Sequence, residues 1–138
     1  MRFFLDSDVL LDVLLERRPH FADSAAVLDH AARYPGRAGV AWHSLANLHY
    51  MMDGGAGEFI GELLDFAEVP ATGSAQLRQA LDLGFGDLED AMVASAAVLF
   101  GAQIIVTRNT RDYRKSPVRA VTPGEAVRLL GVSRTPRR

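Results

Sequence analysis

Phe3-Phe4-Leu5-Asp6-Ser7-Asp8-Val9-Leu10-Leu11-Asp12-Val13-Leu14 is the stretch that decides the fold. The run from Arg2 to Leu5 is short and apolar and stops at Asp6. Val9, Leu10, Val13 and Leu14 then recur at helical spacing, so the segment reads as a strand turning directly into a helix. Asp6 therefore sits at the carboxyl end of the first strand.

The same reading extends along the chain. Pro19 breaks the first helix, and a second is expected over residues 21–33, turning Ala25, Leu28 and Ala32 inward and Asp29 outward, until Tyr34-Pro35-Gly36 ends it. Residues 39–42 make a short strand, followed by a helix containing Leu45, Leu48 and Met52 that stops at Gly54-Gly55. Residues 58–66 form an amphipathic helix with Phe59, Leu63 and Phe66 on one side, and Glu68-Val69-Pro70 reads as a short strand. Ser74 is placed to cap a helix over residues 76–83. After Gly84-Phe85-Gly86 comes a helix over residues 87–100, apolar nearly all round through Ala91, Met92, Val93, Ala94, Ala96, Ala97, Val98 and Leu99, as for a helix buried on several sides. Gly101 stops it. Residues 103–107 read as a fully buried parallel strand and residues 118–121 as a shorter one. Thr122-Pro123-Gly124-Glu125 is a capping box with proline at the first helical position, so a last helix runs to about Leu130 and ends at Gly131.

Strands alternating with helices imply an α/β fold with a mainly parallel sheet, helices on its faces and right-handed connections. In such a sheet the carboxyl ends of the strands share one edge, where ligands bind. Asp6 lies there, and so does Asn47, in the first turn or so of the helix after strand two. The helix over residues 87–100 runs antiparallel to the strand after it, which brings Asp87 and Asp90 to the same edge on one helix face. Asp112 follows the strand ending at Thr107. Four carboxylates held together repel unless a proton or a cation neutralises them, and a hard divalent metal with oxygen ligands is the usual answer. The pattern points to Mg²⁺ or Mn²⁺.

Each acid also has a plainer role open to it. Asp87 serves equally as an N-cap, and Asp90 suits the positive end of a helix dipole, although it begins a buried segment where an uncompensated charge is costly. Asp8 could cap or flank the first helix. Asp12, Glu16 and Glu89 read as solvated helix charges. His20, His30, His43 and His49 lack zinc spacing and suit surface or packing roles, with His43 kept as a residue of the edge.

At 138 residues, with 49% hydrophobic and 23% charged residues, the chain fits one globular domain with a real core. A single domain over residues 1–132 and a basic, flexible tail over residues 133–138 are expected. With no cysteine, disulfides, thiolate zinc sites and cysteine nucleophiles are excluded. The acids at Asp6, Asp8 and Asp12 interrupt the amino-terminal apolar residues, which fits neither a signal peptide nor a membrane span, so a cytoplasmic protein is expected. The net charge of −2 gives no general pull toward phosphate backbones. Local charge does: Arg108, Arg111, Arg114, Lys115 and Arg119 surround Asp112.

Four segments, taken in order, resemble the successive motifs of PIN domains. They are Phe4-Leu5-Asp6-Ser7-Asp8-Val9-Leu10-Leu11-Asp12, Ser44-Leu45-Ala46-Asn47, Asp87-Leu88-Glu89-Asp90-Ala91 and Thr107-Arg108-Asn109-Thr110-Arg111-Asp112-Tyr113. Order and spacing match over essentially the whole chain. The resemblance implies a three-layer α/β/α fold and a metal-dependent ribonuclease, and the compact form is similar to VapC-type toxins of toxin-antitoxin pairs. It implies that Asp6, Asp90 and Asp112 are the catalytic, metal-binding acids and Asp87 an auxiliary one, with Ser7 and Asp8 hydrogen-bonding near the metal. The chain departs from the family at Asn47, where glutamate is frequent, and at Asn109, where aspartate is frequent. Both departures remove negative charge and bear on a second metal position. RNA as substrate, an antitoxin protein as partner, and a dimer or other self-association through apolar surface over residues 9–15 and 59–66 follow from the same resemblance.

The implied chemistry is metal-assisted phosphodiester hydrolysis. Arg108 or Arg111 could bind the substrate phosphate, and an ion pair with a nearby acid is the alternative for either. Two competing readings stand beside it. A PIN-fold module weakened in catalysis by its asparagines would bind RNA or protein without cleaving. A haloacid dehalogenase-like phosphatase would use Asp6 as nucleophile and Asp8 as general acid, but that family places a lysine before its late acids, and the only lysine here, Lys115, follows them.

Overall fold

The computed structural model describes residues 1–132; the basic tail expected over residues 133–138 lies outside the described residues. Five strands, β1 (Phe3–Leu5), β2 (Ala38–Val40), β3 (Ala67–Glu68), β4 (Ile104–Val106) and β5 (Arg119–Val121), form one parallel sheet in the order β3-β2-β1-β4-β5. Seven α-helices connect and cover it: α1 (Ser7–Leu14), α2 (Phe21–Arg33), α3 (Trp42–Met51), α4 (Gly57–Leu63), α5 (Ser74–Asp82), α6 (Leu88–Phe100) and α7 (Pro123–Leu129). A 3-10 turn, Thr110–Tyr113, follows β4. This is the three-layer α/β/α arrangement expected. The first strand in the chain is the middle strand of the sheet, so the acid after it stands at the centre of the carboxyl edge.

Strand alternation sorts the core into two halves. Phe3, Leu5, Ile104 and Val106 pack with Val9, Leu10, Val27, Leu48, Leu63 and Val127 on one face. Phe4 and Ile105 pack with Val93, Ala94, Ala97, Phe100 and Tyr113 on the other. Burying each large side chain is worth roughly 1.5–3 kcal/mol, so both faces are committed. Gly39 marks the tightest approach: a Cβ there would stand 2.9 Å from ring atoms of both Phe4 and Phe100.

Several expectations are corrected. α2 buries Ser24, Val27 and Ala31 most deeply; Leu28 packs against the core as expected, Ala25 is half-buried and Ala32 is exposed, and the Ser24 hydroxyl donates to the buried Asp12 carboxylate at 3.1 Å. Trp42 opens α3 instead of closing the strand before it. Pro70 and Val69 fall outside β3, which pairs only through Ala67 and Glu68. Gly73 is the N-cap of α5, and its N–H donates to the Gln76 side chain at 2.8 Å, so Ser74 is already helical. Val98 and Leu99 of α6 are exposed, so that helix is buried by the sheet and α5 but not all round. Of the apolar stretch over residues 9–15, Val9, Leu10 and Leu11 are core while Val13 and Leu14 are half-buried and Leu15 is exposed, and Phe59 and Phe66 are half-buried. The capping box forms as read, with the Glu125 N–H donating to Thr122 Oγ1 at 3.2 Å and the Thr122 N–H to Glu125 Oε1 at 3.1 Å. Among the described residues no helix is long and apolar enough to cross a membrane.

Candidate functional site

Asp6 leaves β1 in extended conformation and caps α1, accepting the Ser7 N–H on Oδ1 at 2.8 Å. Its Oδ2 accepts two hydroxyls, from Thr107 and from Tyr113, each at 2.9 Å. Thr107 follows β4, the strand next to β1, and Tyr113 closes the 3-10 turn after it, so the β4 exit and that turn supply one donor each. Only 6% of Asp6 is exposed, and charge-assisted hydrogen bonds on both oxygens are what let a carboxylate stay there.

Asp90 reaches the same phenol. Tyr113 Oη lies 3.4 Å from Asp90 Oδ1, but it carries one proton, and the shorter contact to Asp6 takes it. Burial first, then the charges of Asp6, Asp87 and Asp112, push the Asp90 carboxyl up to about 7. Asp90 therefore feels the charge of the other three acids predicted to share the sheet edge. Burial, Asp6 and Asp90 likewise drive the Tyr113 phenol far above its ordinary range, so it remains a donor. Asp87 is the N-cap of α6 as well: its Oδ1 accepts the N–H of Glu89 at 2.8 Å and of Asp90 at 3.3 Å. Asp112 is exposed on the 3-10 turn.

Asp8 lies under the Thr107–Arg108 backbone. Its Oδ2 accepts the Arg108 N–H at 3.0 Å and the Thr107 hydroxyl at 3.4 Å, while Oδ1 is buried without a hydrogen-bond partner among the described residues. Burial and then Asp6 raise its carboxyl to about 6. The Arg108 guanidinium points the other way, its Nε donating to Asp12 Oδ2 at 2.8 Å, so the ion pair left open for Arg108 is the arrangement found. Asp12 is not a solvated helix charge. It is fully buried, and it accepts from Arg17, Arg108 and Ser24. Among the described residues no such partner holds Arg111, which lines a cavity beside Asp87 and Asp112.

Asn47 stands in the second turn of α3, with its Nδ2 donating to Glu89 Oε2 at 2.9 Å. His43 Nε2 meets the Glu89 carbonyl at 3.0 Å, which makes it the edge residue the sequence suggested. Glu89 is exposed but engaged by both, so α3 is clamped to the start of α6. Ser7 begins α1 and is half-buried. Asn109 caps the 3-10 turn through its backbone, accepting the Asp112 N–H at 3.0 Å, and its side chain is exposed.

The donor set is all oxygen and predominantly anionic, which suits a hard divalent cation. Raised carboxyls at Asp8 and Asp90 and the orphaned Asp8 Oδ1 are the marks of negative charge awaiting a proton or a metal. The fit is chemical: among the described residues no three His, Asp or Glu side chains already enclose a point that could hold an ion. Sequence reasoning gave no role to Tyr113, Thr107 or the Asn47–Glu89 pair. Tyr113 and Thr107 lay inside a quoted motif, but nothing local says that a hydroxyl points at an acid some hundred residues away.

A model of the PIN domain family matches residues 2–111. A search of curated protein sequences found no match. Among solved structures, the chain is similar to a toxin-antitoxin complex from Klebsiella pneumoniae (19% identity, TM-score 0.66, covering 89% of this chain and 98% of that one). It is also similar to FitAcB from Neisseria gonorrhoeae (19%, 0.62, 88% and 98%). A third is VapBC2 from Rickettsia felis bound to a DNA fragment from their promoter (17%, 0.60, 88% and 98%). These identities speak for the fold, and the family match over most of the sequence speaks for descent. The chain belongs to the PIN domain family.

Proposed function

We propose that the protein is a Mg²⁺- or Mn²⁺-dependent endoribonuclease that hydrolyses RNA phosphodiester bonds. The observation that supports this most is the meeting of Asp6 and Asp90 on one phenol, with Asp87 and Asp112 close enough for their charges to raise the Asp90 carboxyl. Divalent metal is typical of the family. Asp6, Asp90 and Asp112 would hold it, with Asp87 auxiliary through the oxygen not used in capping. When bound, the ion would activate a water and stabilise charge on the phosphate and the leaving oxygen. Tyr113 and Thr107 fix the orientation of Asp6, Ser7 positions its other oxygen through the backbone, and Asp8 ties the β4 exit to α1.

The partners named with the similar structures support a second polypeptide, an antitoxin, for this chain too. Self-association would use surface other than the core residues of α1. Trp42, Tyr50 and Met51 of α3 are exposed, Trp42 by 75% and Tyr50 by 83%. A chain that stays monomeric by light scattering at high concentration would remove the dimer from this reading.

The weakened, non-cleaving reading keeps one observation in its favour: the Asn47 amide is spent on Glu89. The phosphatase reading has none, and the lysine it requires before the late acids is missing, since the only lysine, Lys115, follows them. Incubation of structured and unstructured RNAs with Mn²⁺ decides. Native protein should cleave, and Asp6→Asn, Asp90→Asn and Asp112→Asn should each lose about two orders of magnitude or more in rate while folding normally. Cleavage by all three at the native rate, with trace nuclease excluded, defeats the assignment. RNA binding without cleavage selects the non-catalytic reading.

A further inference from the structure

A cavity of about 500 Å³ opens beside the acids, between the 84–86 turn and the 3-10 turn, lined by Phe85, Asp87, Arg111, Asp112, Arg114 and Lys115. Its two kinds of charge do not cancel. Arg17 and Arg108 are both spent on Asp12, but Arg111 and Arg114 make no hydrogen bond or ion pair to a described residue and are exposed. Lys115 is held at the turn by donating to the Gly84 carbonyl at 3.1 Å. Phe85 is fixed edge-on against Tyr113, with ring centroids 5.9 Å apart, so the cavity has a rigid aromatic wall connected to the residue that bridges Asp6 and Asp90. Free guanidinium groups next to an aromatic ring suit a phosphate and an unstacked base, and a base inside a duplex could not enter.

We propose that this cavity receives one nucleotide of an unpaired RNA strand, next to the phosphodiester bound at the acids. Arg111 and Arg114 bind its phosphate and Phe85 packs against its base. The inference rests on the ribonuclease reading and adds to it the residues, Arg111, Arg114 and Phe85, that hold the nucleotide beside the acids.

Binding of a labelled short oligouridylate, followed by anisotropy across a range of salt in an Asp6→Asn background, tests it. Each of Arg111→Ala and Arg114→Ala should weaken binding roughly tenfold at low salt. Each should also reduce the salt slope by about 0.7, the value for one phosphate contact on a single strand. Phe85→Leu should weaken binding and leave the slope unchanged. Arg37→Ala is the control, because Arg37 precedes β2 at the opposite edge of the sheet, and it should alter neither. Unchanged affinity and slope in the Arg111→Ala/Arg114→Ala double variant would overturn the proposal. So would an equal loss in Arg37→Ala, or equal binding of a fully paired hairpin. Cleavage is scored separately with native protein and Mn²⁺: its absence defeats the ribonuclease reading, whereas normal cleavage with an unchanged slope defeats the cavity alone.

Discussion

The Tyr113 hydroxyl stands 2.9 Å from Asp6 Oδ2 and 3.4 Å from Asp90 Oδ1, so one buried phenol holds together two acids delivered by the central strand and by α6. The phenol gives its one proton to Asp6 and keeps a longer contact to Asp90, and its own ionisation is suppressed by burial and by the same acids.

Tyr113→Phe should therefore fold and keep its ring packing, yet lose roughly 1.5–3 kcal/mol of stability by urea unfolding, the usual range for a hydrogen bond to a charged group. Mn²⁺ affinity should fall with it, because Asp6 would be oriented by Thr107 and Ser7 alone. Native stability and affinity in this variant would show that the bridge is incidental.

The raised carboxyls give a pH dependence with a definite sign. Asp8 and Asp90 sit at about 6 and 7 in the folded protein, above the ordinary 3.8. The folded state thus binds more protons than the unfolded state across that interval. Their contribution to stability is complete below about pH 4 and is lost as pH rises through 6 and 7. In EDTA the melting temperature should fall between pH 5 and pH 8, and Asp90→Asn should flatten much of that fall. Added Mn²⁺ should raise the melting temperature more at pH 8 than at pH 5, since it binds the ionised acids. A melting temperature at pH 8 indifferent to Mn²⁺ would count heavily against a metal site.

Asp12 accepts from three donors in complete burial, and in either orientation an amide would present its N–H groups to Arg17 or to Arg108. Asp12→Asn should cost about 2–4 kcal/mol in chemical denaturation. A solvated helix charge would cost almost nothing, so the measurement separates the two descriptions cleanly.

Asn47→Glu places a second carboxylate against Glu89, where the amide now donates a hydrogen bond. Without metal, stability should drop by about 1 kcal/mol as that bond is replaced by repulsion. With Mn²⁺, calorimetric titration should show tighter binding than in native protein, because the added charge faces the α6 acids. Unchanged or weaker affinity in a folded variant would mean that Asn47 does not limit metal occupancy.

Alternation and spacing in the chain were enough to place β1, α1, α2, α6 and α7 nearly to the residue and to bring Asp6, Asp87, Asp90 and Asp112 to one edge. These features are local or follow from the parallel connection rule: an apolar run long enough for a strand, a cap, a helix that must run back before the next strand. Four motifs in order were enough for the family. What the sequence could not express was which polar groups meet across the fold. Asp12 looks like any exposed helix acid until Arg108, on the far side of the chain, turns into it. Ser24, on the inner face of α2, donates to the same carboxylate, and Glu89 becomes the anchor of Asn47 and His43 only once α3 and α6 lie side by side. Hydrophobic burial has a period that a sequence displays, whereas a hydrogen bond between residues a hundred positions apart has none, and only the tertiary structure decided those.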